Sequence, residues 1–283
     1  MSVFVEAHLP ILVQGMTGRY GDSYTRTMID YGTHIVGGVT PGKGGEWVHR
    51  LPVFDTVQRA VEATGATTSL VAVPAEFATD AIFEALNADI KTIVCVTEGI
   101  PLKDTLRVIR YASMRGARLL GPSSAGFMVV GEMVVGLLPT SITLQGTIGI
   151  VARGGSLLYF VSDMLQQAQL GLSTLISIGS DLVSGVSLKE ALEQLEGDAN
   201  TEQIVLLTER GGDDAETLEY VRSGMTKPVV AMVAGLHSPI NAKLTRNDDL
   251  YTTRGTPEEW QQSGVRLAAY PEQLIPLLLN REE

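Results

Sequence analysis

The chain has 283 residues, 45% of them hydrophobic and 19% charged, which is enough to fill one large or two medium globular cores and excludes a disordered chain. Its 21 Lys and Arg against 32 Asp and Glu leave a formal net charge of −11, which disfavours nucleic acid or an anionic membrane as a partner. A single cysteine excludes an internal disulfide, and with no bilayer-long apolar stretch and no basic leader around Glu6 a cytoplasmic setting is expected.

In chain order, Ile11–Gln14 reads as a short apolar strand opening into Gly15-Met-Thr-Gly18-Arg-Tyr-Gly21 and a helix. The spacing is GxxGxxG instead of GxGxxG. The physics is shared, because glycines let the backbone approach a ligand and free N–H groups at the helix start attract phosphate. A second strand then runs into VGGVTPGKGG, residues 36–45. In a dinucleotide-binding unit that strand ends in Asp or Glu, whose carboxylate accepts hydrogen bonds from the ribose hydroxyls. Here it ends in glycines and Lys43, an ammonium suited to a phosphate on the ribose. Coenzyme A, a 3′-phosphorylated ADP, meets that description, and the missing carboxylate disfavours NAD.

Val53, Val57, Ala60 and Val61 keep helical spacing, and Phe77, Ala81, Ile82, Ala85 and Leu86 repeat it after the apolar run SLVAVP. Both stripes are expected to be core faces. KTIVCVTEGIP, residues 91–101, is a buried strand whose carboxyl end carries Thr97-Glu98-Gly99, where ligands sit in open parallel sheets. Within it Cys95 is expected to be a small buried hydrophobe. Residues 107–114 are helical, and ARLLGPSSAG closes a first sheet of five strands near Gly121. Residues 127–138 look extended, with turns at Gly131 and Gly136, and 139–146 read as a connection. A second series then begins with IGIVARGG, a strand and glycine turn, followed by a helix striped by Leu157, Leu158, Val161, Met164, Leu165 and Ala168. TLISIGSD, QIVLLTERGG and KPVVAMVAG supply three further strands between helices at 188–195 and 215–221, and 265–268 with a helix over 272–279 finish the chain. The pattern predicts two doubly wound α/β domains in tandem.

Six stretches, QGMTGRYG, YGTHIVGGVTPGKGG, LPVFDTV, VTEGIP, Gly121-Pro122 and TKPVV, together resemble the α subunit of succinyl-CoA synthetase and its relatives. These are the nucleoside-diphosphate-forming acyl-CoA ligases, which include ATP-citrate lyase. The resemblance covers nearly the whole chain. It implies an N-terminal CoA-binding Rossmann domain over residues 1–140 and a flavodoxin-like ligase domain over 146–283. It also implies a β-type partner of ATP-grasp fold, through which ATP or GTP and Mg would act, and a small carboxylic acid substrate. Carried over by position, it places CoA on Thr17, Gly18, Arg19, Tyr20, Lys43, Val96, Thr97 and Glu98, and the acid at Tyr159.

In that family a phosphorylated histidine in a GHAGA loop relays the phosphoryl group. This chain reads LHSPINAKLTRNDDLYTTRG there, and the matching position falls at about Arg246, whose protonated guanidinium has no lone pair to offer a phosphorus. His237, directly after the strand, is either an ordinary loop histidine or a displaced nucleophile; His8, His34 and His49 belong to the first domain. A PNCPG-like loop becomes PSSAG, so Ser123 and Ser124 are expected to cap a helix or to donate to an anion. The RSGTL-like turn becomes Arg153-Gly154-Gly155-Ser156-Leu157, an anion loop that keeps glycine freedom and one hydroxyl. Glu209 matches the glutamate that orients the histidine; here it is a leftover, a base for other chemistry, or a solvated strand end. No spaced Cys, His and carboxylate cluster suggests a metal. Two readings follow. One is an α-like synthetase subunit, or a related acyl or carbamoyl transferase, working without the usual phosphohistidine. The other is a catalytically inactive CoA-binding or regulatory homologue.

Overall fold

The computed structural model describes residues 8–209, 214–236 and 256–280. Two seven-stranded sheets organise them. The first contains β1 (Ile11–Gln14), β2 (Ile35–Val39), β3 (Trp47–Val48), β4 (Leu51–Phe54), β5 (Thr68–Val71), β6 (Thr92–Cys95) and β7 (Arg118–Leu120) in the order β3-β4-β2-β1-β5-β6-β7. All pairs are parallel except β3 with β4. Because α1 (Arg19–Tyr31), α2 (Val57–Thr64), α3 (Ala75–Asn87) and α4 (Leu102–Met114) supply the crossovers, central strands such as ILVQ are buried on both faces and read as unbroken apolar runs.

The second sheet has the order β14-β13-β12-β10-β11-β8-β9. Its parallel part is β10 (Gln145–Ala152), β11 (Leu172–Ser177), β12 (Gln203–Glu209), β13 (Val229–Ala234) and β14 (Arg266–Ala268), and the hairpin β8 (Gly126–Val129) and β9 (Met133–Gly136) adds antiparallel to β11. The helices are α5 (Ser156–Gln167), α6 (Leu188–Glu196), α7 (Asp214–Gly224), α8 (Pro257–Gln262) and α9 (Leu274–Leu278), the last preceded by a 3-10 turn at Pro271–Gln273.

Several expectations need correction. Val53 is in β4, paired with Gly38, and the helix begins only at Val57, because the Thr56 hydroxyl accepts from the Arg59 N–H and fixes the start there. Ile82, Ala85 and Leu86 are buried as expected, but Phe77 is 56% exposed and Ala81 only partly buried; Ala78 completes the buried stripe of α3 at its start. The extended stretch after Gly121 joins the second sheet through β8 and β11, so the boundary between sheets precedes the one read at residue 140 by this hairpin. Pro122 to Ala125 lead into β8, and there is no helix for Ser123 or Ser124 to cap.

Of two apolar clusters, one lies wholly within the first half and the other joins the halves. The joining cluster runs from Ile11, Val13, Met28 and Leu120 of the first to Phe127, Val134, Ile150 and Leu206 of the second. At the end of α1 the buried Thr33 hydroxyl donates to the Val134 carbonyl (2.7 Å) and accepts from the Val134 N–H (3.0 Å). The Tyr31 hydroxyl accepts from Gly131 N–H (2.9 Å) and donates to the Ile142 carbonyl (3.2 Å). Among the described residues no helix is long and apolar enough to cross a membrane, and no group of three or more His, Cys, Asp or Glu is placed to hold a metal.

Candidate functional site

The turns that follow β1, β5, β6, β7, β10 and β11 meet around a cleft of about 780 Å³. Three helix starts line it: Gly18-Arg19 of α1, Pro74-Ala75 of α3 and Gly155-Ser156 of α5. Among the described residues no side chain caps any of the three, whereas Thr56, Ser187 and Thr256 cap α2, α6 and α8. A helix leaves its first N–H groups unbonded within the helix, and its dipole adds positive potential there. Three such ends converging with the Arg19 guanidinium make a cleft built for negative charge.

The backbone at α1 depends on glycine. Gly15 has φ +85°, and a Cβ on Gly21 would stand 2.1 Å from the Gly15 carbonyl oxygen. A second hollow of about 760 Å³ shares Gly18, Ala72, Val73 and Pro74 with the cleft and extends past Thr17, Thr40 and Pro41 to Phe77 and Asp80. The exposed ring of Phe77 is therefore a wall of this hollow. Thr17 donates its hydroxyl to Thr40 Oγ1 (3.2 Å), linking the turn after β1 to the loop after β2 that carries the exposed Lys43.

Gly18, Arg19, Tyr20, Val96, Thr97, Glu98, Ser123, Ser124, Gly155, Ser156 and Tyr159, drawn from five places in the sequence, thus line one cleft. Gly154, with φ +86°, forms the turn before it. The hydroxyls are not equally available. Thr97 donates to the Val73 carbonyl (2.7 Å), and the buried Ser124 donates to the Ser177 carbonyl (2.5 Å) while accepting from Gly126 N–H (2.8 Å). Ser123 pairs with Ser180 across the two halves (2.8 Å). Ser124 therefore staples a turn instead of capping a helix. Glu209, at the end of β12 and partly buried, is not among the lining residues. Arg246 and His237 lie outside the described residues.

Tyr24 and Ser180 line the cleft without having been singled out from the sequence. Tyr24 stacks on Tyr20 with ring centroids 6.1 Å apart, and its i+4 spacing from Tyr20 was the available signal. The Tyr159 hydroxyl donates to the Leu137 carbonyl (3.2 Å), and burial, then Tyr24, holds its phenol above the ordinary range. Burial, then Tyr20, does the same for Tyr24. Both phenols are therefore neutral hydrogen-bonding groups at physiological pH.

Two facing doubly wound domains, with glycine turns and uncapped helix starts between them, form a cleft whose chemistry suits an anion. Residues 7–99 match the model of the CoA binding domain, and residues 145–275 match that of the succinyl-CoA ligase like flavodoxin domain. The chain is 39% identical over 286 aligned residues to the α subunit of an ADP-forming succinate–CoA ligase of Staphylococcus aureus, covering 99% of this chain and 95% of that one. It is 44% identical to the α subunit 1 of Archaeoglobus fulgidus, over 84% and 82% of the two chains. The chain belongs to the family of succinate–CoA ligase α subunits. Its fold matches an ATP citrate lyase of Methanothrix soehngenii solved with citrate and coenzyme A, with TM-score 0.84 at 20% identity over 98% of this chain. It also matches a dinucleotide-forming acetyl-coenzyme A synthetase of Ca. Korarchaeum cryptofilum, with TM-score 0.80 at 19% identity over 93%. The chain spans 51% and 58% of those two solved chains.

Proposed function

We propose that the chain is the CoA-binding α-type subunit of a nucleoside-diphosphate-forming acyl-CoA synthetase. It would act on a small carboxylic acid, with ATP or GTP and Mg entering through an ATP-grasp β-type partner. The observation that carries this reading is the meeting of Gly18–Tyr20, Val96–Glu98 and Tyr159 with three uncapped helix starts in one cleft. In it CoA supplies the thiol that takes up the acyl group. Arg19 and the starts of α1 and α3 hold its phosphates, and Lys43 meets the ribose phosphate. The start of α5 stabilises negative charge developing at the acyl centre, in a site preorganised by backbone dipoles. Tyr159, neutral and anchored on Leu137, borders the place of the acid.

Arg246, at the position of the family's histidine, favours acyl transfer without a phosphohistidine on this chain. It favours equally the second reading, a subunit that holds CoA without catalysis. Calorimetric titration with CoA, dephospho-CoA and NAD tests the binding half. CoA is expected to bind more tightly than dephospho-CoA, and NAD not to bind. Lys43→Glu should weaken CoA by roughly 10- to 150-fold, the worth of a charge-assisted hydrogen bond, while Arg246→Ala leaves it unchanged. Equal effects of the two changes would remove the domain assignment. Incubation with a β-type partner, γ-labelled ATP, acid and CoA separates the two readings. Acyl-CoA formed without label on this chain is the synthetase, and no acyl-CoA with CoA still bound is the holding subunit.

A further inference from the structure

Loop 40–46 accounts for its own backbone. Thr40 N–H donates to the Phe54 carbonyl, Lys43 N–H to Thr40, Gly45 N–H to Val53 and Glu46 N–H to Lys43. Pro41 has no N–H. The two amides left, those of Gly42 and Gly44, both donate to Asp55 Oδ1 at 2.9 Å. No amide of this loop therefore remains to cradle a phosphate, in contrast to a glycine loop that binds anions through its backbone. What the loop offers an anion is the Lys43 ammonium, together with the hydroxyl of Thr40, which accepts from Thr17.

Asp55 is itself fixed from both sides. Phe54 before it pairs with Val39 in the sheet, and Thr56 after it caps α2, whose next amide, Val57 N–H, donates to Glu84 (2.8 Å). The glycines around Lys43 fit the same arrangement. Gly42 and Gly45 have φ +79° and +92°, where a side chain is strained. Gly44 lies outside that region, yet a Cβ there would stand 2.3 Å from Asp55 Oδ2, its nearest neighbour.

We infer that Asp55 is the positioning residue that folds loop 40–46 and presents Lys43 to the ribose phosphate. Lys43, and no backbone amide, supplies the charge by which this loop recognises that phosphate. The inference rests on the reading of Lys43 proposed above and adds the residue that makes the lysine effective.

The readout is the ratio of dephospho-CoA to CoA dissociation constants, measured by calorimetry on the full chain. A merely structural defect would weaken both ligands together and leave the ratio alone. In the unaltered chain the ratio is expected to be about 10 or more, and Lys43→Ala should bring it near 1. Asp55→Ala should lower it to the Lys43→Ala value, with dephospho-CoA affinity within about twofold. Asp55→Asn keeps an amide oxygen to accept both N–H groups and should retain most of the ratio, although the charge is gone. Gly44→Ala should lower the ratio alone and have no further effect in the Asp55→Ala background, where the clashing carboxylate is absent. An undiminished ratio in Asp55→Ala, with a low one in Lys43→Ala, overturns the inference and leaves the Lys43 reading standing. A ratio near 1 in the unaltered chain, or one that Lys43→Ala leaves high, overturns both.

Discussion

Cys95 illustrates how far the fold sets the chemistry of one side chain. It is fully buried at the end of β6, and burial, with a smaller contribution from Asp181, pushes its thiol up to about 12 against the opposing contacts to Thr97. The thiolate is the reactive form, so the native chain at pH 8 should not react with a disulfide reagent, and one thiol should appear on unfolding. Rapid native labelling would contradict this environment. The inertness of Cys95 was legible from its apolar run alone. Ser124 was not, because its partners are a carbonyl 53 residues away and an amide two residues on, which only the packing of PSSAG against β11 brings together. The residues that line the cleft were legible as a group because most sit in short motifs next to strand ends. Ser180 escaped because its role comes from facing Ser123 across the two halves.

Among the elements, fully buried parallel strands were the easiest to read, since apolar runs bounded by glycine and proline leave few alternatives. LPVF was harder. Its valine lies four residues before Val57, a spacing that also fits a helix, and only pairing with β2 decides for a strand. The hairpin β8–β9 was read as extended with the right turn at Gly131, but nothing local indicates which sheet it joins. TKPVV, one of the stretches that carry the family resemblance, has its explanation at this scale. Thr226 and Lys227 hold the end of α6: both amides and the Thr226 hydroxyl donate to the Glu196 carboxylate, and Lys227 Nζ donates to the carbonyls of Leu195 and Asp198. Burial raises the Glu196 pKa, but these hydrogen bonds outweigh it and leave the group below its ordinary 4.5. A folded value below the unfolded one means that the contribution is present above about 4.5 and lost as pH falls through the lowered value. Urea unfolding should therefore find Glu196→Gln less stable than the unaltered chain at pH 7, with the difference shrinking below pH about 4.5. A constant difference would mean that the carboxylate's charge is not what α6 uses.

For the molecule as a whole, one apolar cluster through both sheets predicts that they unfold together. Trp260 is buried in the second half, so its fluorescence and far-UV circular dichroism should give one urea midpoint. Two separated midpoints would show that the halves are independent. Thr33→Val leaves the Val134 N–H and carbonyl buried without their partner, a loss of about 1–3 kcal/mol that the same titration would register.

The anchoring of α1 has a mechanical consequence. The helix is about 20 Å long, with Arg19 and Tyr20 on the lip of the cleft at one end and Tyr31 bolted to the opposite half at the other. It is a beam clamped at its far end, so the lip keeps its height only while the clamp is tight. A guest large enough to lift the lip would have to bend the beam or slip the bolt. Amide exchange at Gly131, held at the far end of this 13-residue helix of roughly three and a half turns, would then report on occupancy, slowing when the guest fits beneath the beam and quickening when it does not.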